Sequence, residues 1–157
     1  EIFIRAPGAD LAGMNLYDRD LRYVRLPGAD LSQSELGNGH FRRADLSGSN
    51  LSSARLAGSF AQGANLSRAS LLGADVRKVN AFRIDLRNAD LRRVIAVGAS
   101  FSHGYWDGAR LNGGDFRGAY LRFSEGLTQA QLDTACGDER TRLSPGLTIP
   151  RCGSPGQ

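Results

Sequence analysis

The sequence contains no run of about eighteen apolar residues, which excludes a transmembrane helix. It is also poor in the residue types that build reaction centres. Its two cysteines, Cys136 and Cys152, lie sixteen positions apart with no histidine nearby, a spacing that makes no zinc site. Its two histidines, His40 and His103, lie far apart, and serines such as Ser52, Ser53 and Ser67 have no histidine partner in view. Only one of the twenty basic residues is lysine, an arginine bias that carries little functional weight. The chain opens on Glu1 without an initiator methionine or a signal peptide. A processed precursor and a trimmed chain would both begin this way, so a removed leader stays open as an expectation.

Glycine, by contrast, is abundant, with twenty residues placed at regular intervals. Steps of five from Leu11 meet Leu16, Leu21, Leu26, Leu31, Leu36, Phe41, Leu46, Leu51 and Leu56, and the register runs on to Leu111, Phe116 and Leu121. Ala61, Val76, Ala81, Ala96 and Trp106 are the exceptions at this central position. Two residues earlier the chain is small, as at Ala29, Ala44, Ala64 and Ala89, and between the two sits a polar residue, often Asp or Asn. Glycine recurs two places after the central residue, as at Gly28, Gly48, Gly73 and Gly118. On an α-helix a five-residue step turns the leucine by about 140° and smears it over every face. On a flat strand successive leucines would alternate between faces. Constant inward pointing therefore needs a corner in every repeat, where glycine suits the positive φ of a tight turn.

Pro7-Gly8 and Pro27-Gly28 repeat the same corner twenty residues apart. At that spacing Phe41 and Phe101 flank Ala61 and Ala81, and Ala96 lies between Val76 and Phe116, so large rings fill the space beside small residues. A fifteen-residue coil would stack Ala81 on Ala96 and Phe101 on Phe116, which packs poorly. Four sides of five residues are favoured.

The runs Ala29-Asp30-Leu31, Ala44-Asp45-Leu46, Ala64-Asn65-Leu66, Ala74-Asp75-Val76 and Ala89-Asp90-Leu91 resemble the pentapeptide-repeat family, over roughly residues 4 to 125. The resemblance implies an all-β fold, a right-handed quadrilateral β-helix. About six coils stacked at about 4.8 Å would make a rod roughly 28 Å long. Residues 1–125 are expected to form this solenoid and residues 126–157 a C-terminal capping helix and tail.

Thr128-Gln129-Ala130-Gln131 has capping-box spacing, which predicts a short helix over about 128 to 136 ending at Gly137. Leu127, Leu132 and Ala135 would cover the last coil, with Leu143, Leu147 and Ile149 of the tail strapped onto the same end. If joined, Cys136 and Cys152 would close a seventeen-residue loop and stabilise the cap by about 3 kcal/mol. A disulfide would go with an oxidising compartment such as a periplasm, and two free thiols with the cytosol.

No catalytic, cofactor-binding or metal-ligating set emerges. His40 and His103 would lie about three layers, or roughly 14 Å, apart, and the regularly spaced aspartates read as solvated faces and corner hydrogen bonds. The surface offers more. Arg77, Lys78, Arg83, Arg87, Arg92 and Arg93 form a candidate basic girdle within one coil, with Asp75, Asp85 and Asp90 interleaved. Arg22, Arg42, Arg43, Arg83 and Arg122 line one corner region along the rod. Phe60 and Tyr120 point outward on one side, Phe82 and Phe123 near its corner, and Ile95 and Val97 on the adjacent side. These six are candidates for a protein interface, including a homodimer contact, against a competing reading as local packing.

The expected function is a non-enzymatic scaffold for an unidentified protein partner. The family resemblance adds a second class, in which the rod imitates duplex DNA and binds DNA gyrase. That needs a mostly negative surface, whereas residues 1–125 hold seventeen basic and thirteen acidic residues. The column Asp10, Asp30, Asn50, Ser70, Asp90, Arg110 loses its acidity partway along. A third class, nucleic-acid or polyanion binding through the girdle, lacks an aromatic-lined groove or reader motif, so nucleic acid is not the expected partner.

Overall fold

The computed structural model describes residues 4–153. Glu1, on which the leader expectation rests, lies outside them, as do residues 154–157 of the tail. Parallel bridges join each strand position to the residue twenty places on, as in Arg5 to Arg25, Asp30 to Asn50, Phe60 to Asn80 and Ser100 to Tyr120. A turn follows every bridge position from Arg5 to Tyr120, so over that span a turn recurs every five residues.

The turns explain the repeat. In each from Ala6 to Phe116, the N–H three residues past the central residue donates back to the central carbonyl, as Ala44 does to Phe41 at 2.9 Å. The residue two places after the centre has positive φ at every turn from Gly8 to Phe123, whereas the residue before it does not. That combination defines a type II turn. The central N–H and the N–H of the left-handed residue reach the next coil, as Leu31 does to Asn50 and Gln33 to Ser52. The bridge-position N–H returns to the previous coil, as Asp30 does to Ala9. One donor is left over, on the residue after the centre. The Asp or Asn before the centre accepts it, as Asp30 does from Ser32 and Asp75 from Arg77. At Pro7 and Pro27 that donor does not exist, and proline suits this turn position. The polar member of the motif is therefore a turn cap that completes the backbone hydrogen bonding.

The core is a stack of central residues and the small residues two places before them. Leu31, Leu51, Ala81, Ala96, Trp106 and Phe116 are all essentially unexposed. Large and small alternate within it: Gly39, Gly104 and Gly114 stand where alanine is usual, two places before Phe41, Trp106 and Phe116. Phe101, Trp106 and Phe116 meet edge to face or tilted, with ring centroids 5.2–6.4 Å apart.

The expected capping box forms, but the helix α1 is shorter than its spacing implies. It covers Gln129–Leu132 and ends at Asp133, not near Gly137. The chain leaves the helix because it rejoins the stack. The Thr134 carbonyl accepts from Gly113, and Cys136 bridges Asp115. Arg142 then bridges Tyr120, and Arg151 bridges Gly137. Leu132 and Ala135 are buried, and Leu127, Leu143, Leu147 and Ile149 pack partly buried against the core. Gln131 also donates from Nε2 to the carbonyls of Trp106 and Ala109. At the other end Leu11 and Leu16 are only partly buried, while Met14 and Tyr17 are exposed.

Candidate functional site

The candidate surface residues divide by register. Half of the basic girdle is closed on itself. Arg77, Arg87 and Arg92 each grip the carboxylate two residues earlier, with closest N···O distances of 2.6, 2.6 and 2.7 Å to Asp75, Asp85 and Asp90. The hydrogen bond from Arg77 holds the Asp75 carboxyl below its ordinary range against the opposing effect of burial, and Arg92 does the same for Asp90. Lys78 and Arg93 remain outward on other corners, both at left-handed turn positions.

Phe60 and Phe82 line one groove and Phe82 and Phe123 both contact His103, while Tyr120 lies three coils beyond Phe60 in the same strand column and Ile95 and Val97 do not join them. Ile95 bridges Asp75 on one side and Asp115 on the other, an apolar residue framed by carboxylates. Along the edge, His40 stacks on Phe60 with centroids 4.9 Å apart and planes within 14°. Around its corner His103 contacts the Phe82 ring at 5.2 Å and stacks on Phe123 at 5.1 Å. Arg83 lies over the Phe82 ring and Arg122 over the Phe123 ring, at 5.3 and 5.2 Å from the centroids. An open groove between the two columns is lined by Arg22, His40, Arg42, Phe60, Gln62 and Phe82. The two histidines, of no evident use to catalysis, are links in these ring ladders. Counting in twenties from Phe60 and Phe123 reaches His40 and His103, so the signal for them was present in the register.

Cys136 and Cys152 stand at disulfide distance, with Cα atoms 4.7 Å apart. Together with Asp115 they are the one group of possible metal-ligating atoms within 4.8 Å of one another among the described residues. The two sulfurs are joined to each other, and Asp115 is taken by Arg117 at 2.6 Å.

A stack of five-residue turns with its chemistry confined to outer columns defines a solenoid repeat protein. The model of the pentapeptide repeats matches residues 25–60, 44–80 and 83–122, in eight copies, and the chain belongs to that family. No curated protein matches it. Among solved structures it is similar to the plasmid-mediated fluoroquinolone resistance protein QnrB1 in a trypsin-treated form, at 15% identity over 91% of both chains, with a TM-score of 0.54. It is also similar to the pentapeptide-repeat protein Rfr23 from the cyanobacterium Cyanothece 51142, at 23% identity over 88% of this chain and 90% of that one, with a TM-score of 0.41. A third neighbour is a pentapeptide-repeat protein of the Arabidopsis thaliana thylakoid lumen, at 29% identity over 68% of this chain and 67% of that one, with a TM-score of 0.30. At these identities the likeness is one of fold.

Proposed function

We propose that this chain is a non-enzymatic interaction scaffold, a right-handed, four-sided rod of about six coils capped by its C-terminal segment. The observation that carries the reading is large apolar exposure on a rigid stack. Phe60, Phe82, Ile95 and Phe123 are 39–52% exposed above a continuous buried core. A side chain of that kind, held outward on a rigid frame, binds by docking at little entropic cost. Crosslinking in the cells that make the protein, comparing the native chain with Phe60→Ala and Ile95→Ala variants, tests it. Crosslinks to another protein that are weakened by one or other substitution are expected. Crosslinks confined within the chain would overturn the reading.

Gyrase binding by DNA mimicry finds less support. The net charge is +4, and Asp20, Asp75, Asp85, Asp90, Asp115 and Asp138 each pair with an arginine two residues on. Such pairs do not present the continuous row of negative charge that a duplex does. A gyrase supercoiling assay unaffected by micromolar protein is the expected result.

A further inference from the structure

Among the turns from Gly8 to Phe123, the left-handed position is glycine in eleven cases and another residue in thirteen. The non-glycine residues are not spread evenly. Reading by twenties, one corner holds Tyr23, Arg43, Gly63, Arg83, His103 and Phe123. Five of its six positions carry large side chains at φ of 56–63°. Each of the other three corners has three or four glycines out of six, and its remaining residues are Asp, Asn, Gln, Ser, Lys or Arg. Every aromatic residue at a left-handed turn position lies at this one corner.

An L-residue in that conformation costs on the order of 1 kcal/mol relative to glycine. Asparagine and aspartate recover part of that through their short polar side chains, whereas tyrosine, phenylalanine and arginine do not. Strain retained five times at one corner marks a surface kept for something other than stability.

The chemistry of the corner is cationic and aromatic. The neighbouring turn column adds Arg22, Arg42, Phe82 and Arg122, and the adjoining strand column adds His40, Phe60 and Tyr120. One acid, Asp20, lies in these three columns, and it pairs with Arg22. Among the described residues no carboxylate pairs with Arg42, Arg43, Arg83 or Arg122, and Arg122 Nε has no hydrogen-bond partner.

Ring orientation decides between anionic partners. A nucleobase would need an open ring face. Here His40 and Phe60 cover one face of each other, as do His103 and Phe123, and guanidinium groups lie over Phe82 and Phe123, which leaves fewer open faces than a base-stacking platform presents. Rings stacked in this way offer their edges, the positive rim of the aromatic quadrupole, beside guanidinium N–H groups that match carboxylates in fork geometry. We propose that this corner is a docking site for an acidic polypeptide segment, its carboxylates received by Arg42, Arg43, Arg83 and Arg122 along the rim of the aromatic ladder. The inference rests on the scaffold reading and names the surface and the chemistry of its partner.

Fluorescence anisotropy with a labelled oligoglutamate peptide tests it, with labelled oligolysine and oligothymidylate for comparison. The variant Arg42→Glu/Arg83→Glu is measured against Arg68→Glu/Lys78→Glu, which changes net charge equally but on two other corners. Preferred binding of oligoglutamate is expected, weakened roughly tenfold or more in the first variant and less than about twofold in the second. Phe82→Ala/Phe123→Ala, which leaves the charge alone, should weaken it by about threefold or more. Three outcomes overturn the proposal: no binding of oligoglutamate, equal loss in the two charge variants, or tighter binding of oligothymidylate. None of the three touches the scaffold reading, which stands or falls on crosslinks to a protein partner.

Discussion

Ser59 is the sharpest test of how the core is built. It occupies the small inward column, is fully buried, and its hydroxyl has no partner. Ser34 and Ser49 in equivalent positions donate to the carbonyls of Leu31 and Leu46. A buried, unpaired hydroxyl costs about 1–3 kcal/mol, so Ser59→Ala is expected to stabilise the protein by about 1 kcal/mol in urea denaturation, while Ser34→Ala should be neutral or destabilising. Gly114 makes the opposite case. A Cβ there would stand 2.7 Å from the Phe116 ring and 3.3 Å from Val94 Cγ1. Gly114→Ala is expected to cost about 1–3 kcal/mol by overpacking, in the same measurement. The exchange of small for large at these positions was partly legible: Val79 beside Ala81 and Val94 beside Ala96 are evident from the five-residue register. The glycines before Phe41, Trp106 and Phe116 follow the same rule in reverse and are easily lost among the turn glycines. The role of the Asp or Asn in the motif was less legible, because it depends on which backbone donor the turn leaves over. Only the three-dimensional turn shows that.

The C-terminal segment is tied to the last repeats by backbone bridges and by side-chain contacts that can be removed separately. Asp138 accepts from the Gly118 N–H across to the last repeats and from Arg140. Its carboxyl is lowered to about 2, chiefly by the Arg140 side-chain hydrogen bond and against the effect of burial. A folded pKa below the unfolded value of about 3.9 stabilises above that value and ceases to do so as pH falls through the folded pKa. The cap should hold unchanged from neutral pH to about 5 and loosen between about 4 and 2. Trp106, the only tryptophan, lies unexposed with its carbonyl bonded to Gln131 of the cap. Its fluorescence is the readout: a red shift in that acid range is expected, whereas Asp138→Asn, which has no carboxyl to titrate, should be red-shifted already at neutral pH and lack that acid step. The cysteine pair acts on the same element. Cys136→Ser/Cys152→Ser should lower the stability of the tail by about 3 kcal/mol, seen as faster proteolysis after residue 137. The helix itself was legible at its start and not at its end. Thr128 and Gln131 announce the capping box, but the stop is imposed by pairing with residues more than twenty places earlier, which local sequence does not display.

At the scale of the molecule, nearly all order is of one kind, the twenty-residue register. The Pro-Gly pairs and the placing of Phe41 and Phe101 around Ala61 and Ala81 already implied it. The same count placed Phe60 on one outward side with Phe82 and Phe123 near its corner; what was missed is that His40 and His103, weighed only for catalysis, belong to that edge. The register can be tested by deletion. Removing residues 61–80 takes out one period and leaves every downstream residue above its former kind of neighbour, so cooperative thermal unfolding is expected to persist. Removing residues 61–65 moves every later side chain one side round the rod, and loss of the cooperative transition or aggregation is expected. The same arithmetic governs how such a chain changes over generations. A tandem duplication of one whole period lengthens the molecule while every older side chain keeps its bearing. A duplication of one five-residue unit, like the five-residue deletion, breaks that alignment, so whole periods are the steps in which a lineage can lengthen its rod.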